Sequence, residues 1–173
     1  MKIFGGDLVI REHVKSLGQS FIYAVIVFIL LYIFLWPVRI VGVSMSPTLN
    51  DGDRVFVSRG MGFVSEYTHG DLVMVRINDD IGSRYIIKRI AAVPGDVLII
   101  DNGQVTINGV IAPFRYERHG EDSLRFELYQ DHYFLIGDNH TFSTDSRDFG
   151  PLHRNDLRGR VLFRFMGGSF TIN

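Results

Sequence analysis

Three positions carry side chains able to do covalent or acid–base chemistry in settings worth weighing. Ser44 lies in "VGVSMSPTLN" (41–50), after Gly42, which permits tight backbone geometry, and before Pro47, which fixes the chain. A serine hydroxyl is a nucleophile only with a partner to take its proton; without one, Ser44 is a solvated turn residue. Lys88 lies in "YIIKRIAAV", where strand alternation puts Ile86, Lys88 and Ile90 on one face and Ile87, Arg89 and Ala91 on the other. A lysine between two isoleucines is either an edge residue reaching out to water or a buried amine. An ordinary lysine of pKa ~10.4 is neutral about one time in a thousand near pH 7.5. Burial disfavours the ammonium form; bringing the pKa to about 8 costs the fold roughly 3 kcal/mol, a cost that points to function.

The third stretch is "GDNHTFSTDSRDFG" (137–150). It reads as a plain surface loop, or as a calcium loop, or as a polar support for the lysine. The calcium pattern fails, because His140 and Ser143 stand where an acidic or amide ligand and a glycine belong. As a support, it offers hydroxyls to hold a neutral amine and an internal pair, Asp145 with Arg147. The six histidines (His13, His69, His119, His132, His140 and His153) are scattered and none sits in a triad context, although triad partners meet in space and not in sequence. No helical histidine pair suited to zinc is present.

The elements that must position these residues follow from composition and pattern. The chain has 173 residues, 46% of them hydrophobic and 21% charged, enough for one packed domain plus a small addition. A net charge of -1 gives no electrostatic case for nucleic acid. The absence of cysteine removes disulfides, thiolate metal sites and a thiol nucleophile. "FIYAVIVFILLYIFLW" (21–36) carries no charge, and the stretch 17–38 has about the 20 residues that cross a hydrocarbon core of roughly 30 Å. Large residues run up to Trp36 and Pro37 where a cleaved signal peptide would show small ones. The expectation is a retained transmembrane helix over 17–38, a short cytoplasmic segment over 1–16, and an extracytoplasmic domain over 39–173. The orientation rests on Lys2, Arg11 and Lys15 before the span.

Beyond the span the pattern is β. "DRVFVS" (53–58), "DLVMVRI" (71–77), "RYIIKRIAAV" (84–93), "YFLIGD" (133–138) and "GRVLFRF" (159–165) read as strands. "DVLIIDNGQVTINGV" (96–110) reads as a hairpin around Asn102-Gly103 with a second reversal at Asn108-Gly109. The charged segment 113–131 reads as a small cap or excursion. The fold class is therefore mainly β: one membrane helix, then a compact antiparallel β domain with a reduced cap.

These blocks together resemble the membrane-bound type I signal peptidases, also called leader peptidases. The resemblance covers nearly the whole chain and rests on an N-terminal span followed in order by "SMSPTLNDGDRVFV" (44–57), "HGDLVMV" (69–75), "YIIKRIAAVPGD" (85–96) and "GDNHTFSTDSRDFG" (137–150). It implies a serine endopeptidase with Ser44 as nucleophile, Lys88 as general base and Ser143 orienting the lysine amine. By the same resemblance Asp145 and Arg147 buttress the loop, and Met45 and Ile86 line the substrate cleft. It implies no cofactor or metal. The partners would be preproteins with signal peptides, the lipid bilayer and the export machinery, at the inner (plasma) membrane. The substrate of such enzymes lies extended, with small side chains one and three residues before the cut, because alternate side chains of an extended segment face the same way.

Two positions depart from the pattern. His140 stands where many members have arginine, and Gly42 where some have a hydroxyl residue at the oxyanion hole. Glycine there leaves oxyanion stabilisation to backbone N–H groups, chiefly that of Ser44. Other readings remain open: a serine/lysine peptidase dedicated to a pilin or a conjugation or secretion-system protein, a soluble self-cleaving regulator, and an inactive membrane-tethered β module that only binds. The apolar run argues against the soluble regulator, and the presence of both Ser44 and Lys88 against the inactive module.

Overall fold

The computed structural model describes residues 4–59, 65–79, 82–115, 123–166 and 169–172, and the chain divides into two compact units, Met1–Trp36 and Pro37–Asn173. The first is one helix, α1 (Phe4–Phe34). Within it, Lys15–Tyr32 is long and apolar enough to cross a membrane. Its large side chains lie open on every side, from Phe21 to Phe28 to Tyr32. An apolar surface of that extent needs a non-aqueous environment. The expected span ran to residue 38, but the helix stops at Phe34. Leu35–Arg39 is extended and forms strand β1. Pro37 accounts for the earlier stop, since its ring disfavours helical geometry at Trp36.

The second unit is built of antiparallel pairs. After β1 come β2 (Arg54–Ser58), β3 (Leu72–Asp79), β4 (Gly82–Ala92), β5 (Val97–Asp101), β6 (Gln104–Ile107) and β7 (Val110–Arg115). Then follow β8 (Ser123–Glu127), β9 (His132–Ile136), a one-turn helix α2 (Ser146–Phe149), β10 (Leu152–His153), β11 (Leu157–Met166) and β12 (Ser169–Ile172). The larger sheet runs β1-β2-β11-β3-β4-β9-β10, with β12 also on β11, and the smaller runs β7-β6-β5-β8. The expected reversals occur where Asn-Gly allows them: Asn102, Gly103, Asn108 and Gly109 all have positive φ.

Segment 113–131, expected as a small cap or excursion, is in part regular sheet. Residues 113–115 complete β7, and β8 pairs along its whole length with β5 as a regular member of the smaller sheet. Its half-exposed alternation of Ser, Leu, Arg, Phe and Glu hid the strand under charge. Residues 116–122 lie outside the described residues.

Strand β4 ties the two sheets together. Its register against β9 shifts between Ile90 and Ala92, a bulge that turns successive residues to different cores. Ile90 packs with Val73, Val75, Tyr133 and Leu135. Ala91 and Ala92 pack with Leu98, Val105 and Phe134 under the smaller sheet. The "PGD" turn that follows is fixed by Asp96, which accepts the Val93 backbone N–H, the Asn108 side-chain amide and a contact from His69 Nε2 at 2.7 Å. Burial pushes Asp96 upward, but these bonds outweigh it and leave its carboxyl below the ordinary range. The segment that carries Lys88 is thus braced at both ends, by the β3 pairing before it and by this turn after it.

Candidate active site

Lys88 sits in the middle of β4, opposite Val73 of β3, in a row that also holds Ile86 opposite Val75. The sequence expectation that Ile86, Lys88 and Ile90 share a face agrees with this register. Both isoleucines pack into one core, and Lys88 is only 2% exposed. The edge-residue reading of Lys88 therefore fails. Burial disfavours the ammonium form, and Asp145 opposes it only partly because Arg147 pulls the other way. The amine is lowered from 10.5 to about 8. Its Nζ donates to Ser143 Oγ at 2.8 Å.

Ser143 in turn donates to Asp145 Oδ2 at 2.7 Å. Asp145 is fully buried and caps α2. It accepts the Gly137 N–H at 2.9 Å and a two-pronged pair from Arg147, Nε to Oδ1 and Nη2 to Oδ2, both at 2.8 Å. Such fork-to-carboxylate pairs are the strong, directional kind. Burial alone would raise the Asp145 pKa; the bonds from Arg147, Gly137 and Ser143 hold it below the ordinary range. Arg147 also reaches the carbonyls of Arg115 and His140, at 3.2 and 2.9 Å. One buried ion pair thereby closes the loop on itself and onto β7.

The Ser44 segment lies against the start of this same loop. The Asn139 N–H donates to Ser44 O at 3.0 Å, and its side-chain amide to Val43 O at 3.1 Å. Gly137 marks the closest approach. A Cβ there would collide with the Ser143 side chain and sit 2.6 Å from Ser44 O, so the Ser143 side chain and the Ser44 carbonyl crowd one point that only glycine leaves free. Beside it, Arg89 projects from the opposite face of β4 and grips Asp138 with two bonds of 2.8 and 2.7 Å, while the Thr48 side chain helps hold the same carboxyl below its ordinary range. Asp138 therefore links the strand of the amine to the segment of the alcohol. Sequence reasoning missed Gly137, Asp138, Asn139 and Arg89. The only signal was that "GDN" begins the polar loop and that Arg89 directly follows Lys88.

The remaining expected residues fall as follows. Met45 is buried at 2% exposure, and its carbonyl accepts the Leu49 N–H. Ile86 is half-buried on the Lys88 face. Gly42 has φ of +97°, and its N–H donates to Asp51 Oδ1. Of the histidines, His69 engages Asp96, His132 and His153 stack edge-on at 5.3 Å, and His140 packs on Phe114. His119 and the His13 side chain lie outside the described residues. Among the described residues no group of three or more His, Asp or Glu gathers as a metal site.

A hydroxyl segment, a dehydrated amine and a serine–carboxylate support form the set of groups a serine peptidase with an amine base requires. Comparison with known proteins fixes the family. Residues 10–166 match the family described as signal peptidase, peptidase S26. Signal peptidase I of Bacillus licheniformis is 32% identical over 161 residues, 85% of this chain and 86% of that one. Signal peptidase I T of Bacillus subtilis is 32% identical over 162 residues, 86% and 83% of the two chains. Signal peptidase I P of Bacillus subtilis subsp. natto is 29% identical over 169 residues, 90% of each. A solved signal peptidase I of Enterococcus faecalis, 20% identical, superposes loosely, with a TM-score of 0.43 over 56% of this chain and 97% of that one. The chain belongs to the signal peptidase family, peptidase S26, and is a serine endopeptidase.

Two predictions follow from this geometry. Gly137→Ala forces Ser143 or the Ser44 backbone to move, and peptidase activity should fall at least about 10²-fold, since displacements near 1 Å can cost that much, while circular dichroism stays that of the wild type. Unchanged activity would contradict the crowding. The second concerns stability. Above pH 10.5 the Lys88 amine is neutral in both folded and unfolded chains. As pH falls, the unfolded chain binds a proton that the folded one refuses until about pH 8. The cost is complete below that value and amounts to roughly 3 kcal/mol. Lys88→Met should therefore be more stable than wild type at pH 7, by up to ~3 kcal/mol, with the margin shrinking as pH rises from 8 to 10. Denaturant unfolding at several pH values checks this; a variant less stable than wild type at pH 7 would overturn it.

Proposed function

We propose that this enzyme removes N-terminal signal peptides from exported preproteins, with Ser44 as nucleophile and Lys88 as general base. The observation that carries the reading is the buried Lys88 amine, lowered to about 8 and bonded to Ser143 beside the Ser44 segment. Near pH 8 a large share of that amine is neutral and free to take a proton. Lys88 takes the Ser44 hydroxyl proton as Oγ bonds to the scissile carbonyl carbon. The resulting ammonium returns the proton to the nitrogen of the breaking C–N bond, releasing the mature chain as an amine. Water then attacks the ester carbonyl and loses its proton to Lys88, which passes it to Ser44 Oγ as the acyl C–O bond breaks, freeing the signal peptide as a carboxylic acid and restoring both residues. Ser143 orients the amine and Asp145 with Arg147 holds Ser143. Met45 and Ile86 border the groove for an extended substrate with small side chains at its two pocket positions.

The helix α1 supports a topology in which residues 17–34 cross the membrane, residues 1–16 face the cytoplasm and the β unit faces outward. Substrate and enzyme then share one bilayer, and the search is confined to its surface, which raises effective concentration. The bilayer and preproteins emerging from the export machinery are its partners.

Cleavage of one such preprotein by purified enzyme tests the mechanism. Ser44→Ala and Lys88→Ala should each abolish processing without unfolding the β unit, and Lys88→Arg should fail as well, since a guanidinium stays charged. In the wild type, kcat/KM should rise with pH through a midpoint near 8, the value at which the amine loses its proton. Full activity in Lys88→Ala, or a flat profile from pH 6 to 9, would refute it. Externally added protease should digest the β unit in spheroplasts; digestion only after lysis would reverse the topology.

A further inference from the structure

The segment that carries Ser44 is gripped on two sides, and the second grip comes from a residue remote in sequence. Arg164, near the end of β11, sends Nη1 to the Thr48 carbonyl at 2.6 Å and to Asp53 Oδ2 at 3.3 Å. The same Asp53 oxygen accepts the Asn50 N–H at 2.8 Å. Arg164 and Asp53 are largely shielded, at 21% and 12% side-chain exposure, so the contact is not a loose surface pair. The Thr48 side chain in turn helps hold the carboxyl of Asp138, which Arg89 grips, below its ordinary range. One residue, four beyond Ser44, is therefore held by its side chain from the Lys88 strand and by its carbonyl from β11.

We infer that Arg164 is a positioning residue for catalysis, fixing the nucleophile segment from behind by holding Thr48 O and Asp53 together. The inference rests on the reading of Ser44 as nucleophile. Without the cation, the Thr48 carbonyl loses a charge-assisted donor and the Asp53 carboxylate loses its partner. The segment keeps its buried Met45 and Leu49 and its contacts with residue 139, but loses the cation that ties residues 48 and 53 together. Among the described residues, the polar contacts of Arg164 go to Thr48 and Asp53 and not to Lys88, Ser143 or Asp145. The proton chemistry is left alone while the geometry of attack is degraded. A single nitrogen, Nη1, makes both contacts, so an ammonium with several protons can replace it.

The test uses the full chain in lipid vesicles with a signal-peptide-bearing preprotein, comparing wild type, Arg164→Met and Arg164→Lys. Arg164→Met should lower kcat by about 10- to 100-fold, the range that follows from misplaced reacting groups, with KM within about threefold and the midpoint of the pH profile unmoved. Arg164→Lys should recover most of the lost kcat. The inference is overturned if Arg164→Met keeps wild-type kcat, if lysine is as poor as methionine, or if the loss only tracks the unfolded fraction. Should Arg164→Met not fold, Asp53→Asn carries the same question: kcat falls with KM unchanged, or the clamp has no catalytic role. Ser44→Ala is the control. If that variant still cleaves, the nucleophile reading fails whatever Arg164 does; if it is dead while Arg164→Met is fully active, only this inference fails.

Discussion

The ionisation of Lys88 depends on how the charge of Asp145 is disposed of. A fully buried carboxylate close to a buried amine would normally draw the proton onto the nitrogen and keep it there, since Coulomb attraction grows as water is excluded. Here Arg147 takes both carboxylate oxygens, and Gly137 and Ser143 add further donors. The negative charge is largely spent before it reaches Lys88, and its field is offset by the guanidinium behind it. Desolvation then outweighs attraction, and the amine falls to about 8 instead of rising. Arg147 thus controls the protonation of a residue it does not touch, through the carboxylate between them.

The same ion pair does structural work. Asp145 is the N-cap of α2 and forms a reciprocal capping box with Asp148. Ser146, next in sequence, accepts the Leu135 N–H through its hydroxyl and so pins the loop to β9. The loop that presents Ser143 is therefore pinned at several points, though it has almost no regular structure. Precise placement matters because Ser143 has one hydroxyl proton, which it gives to Asp145. Its lone pairs are then turned toward Lys88, and the lysine must come with its own proton or hydrogen to meet them.

Much of this was legible in the chain and part was not, for physical reasons. The strands that fill the core, β2, β3, β4 and β9, announce themselves by branched residues, because both of their faces are buried. The Asn-Gly reversals are legible because the positive φ they need is costly for other residues. The shared face of Ile86, Lys88 and Ile90 follows from the period of two alone. What stayed hidden depends on neighbours absent from local sequence. β8 is half-exposed and carries charge, so only its pairing with β5 makes it a strand. The end of α1 was read four residues too late, because apolar composition continues through Trp36 after the backbone has turned extended. Gly137 looks like any loop glycine until the Ser143 side chain and the Ser44 carbonyl are seen packed against it. Arg164 looks like any strand cation until its contact with a segment more than a hundred residues earlier is seen.

The architecture also explains why Ser44, Lys88 and Ser143 come from three separate segments and not from one motif. An amine kept neutral by burial needs a strand interior, where backbone groups are already paired and apolar neighbours exclude water. A nucleophile must meet a substrate, so it needs a loop, and loops lose position unless they are tied down. Asp138 resolves the conflict. It takes Arg89 from the back of the lysine strand and Thr48 from the serine segment, while Asn139 beside it binds the backbone at Val43 and Ser44. Because Lys88 and Arg89 are consecutive, strand alternation sends one to the buried amine site and the other to the clamp. A shift of β4 that moved Lys88 would therefore move Arg89, and with it the hold on Asp138, in the same step.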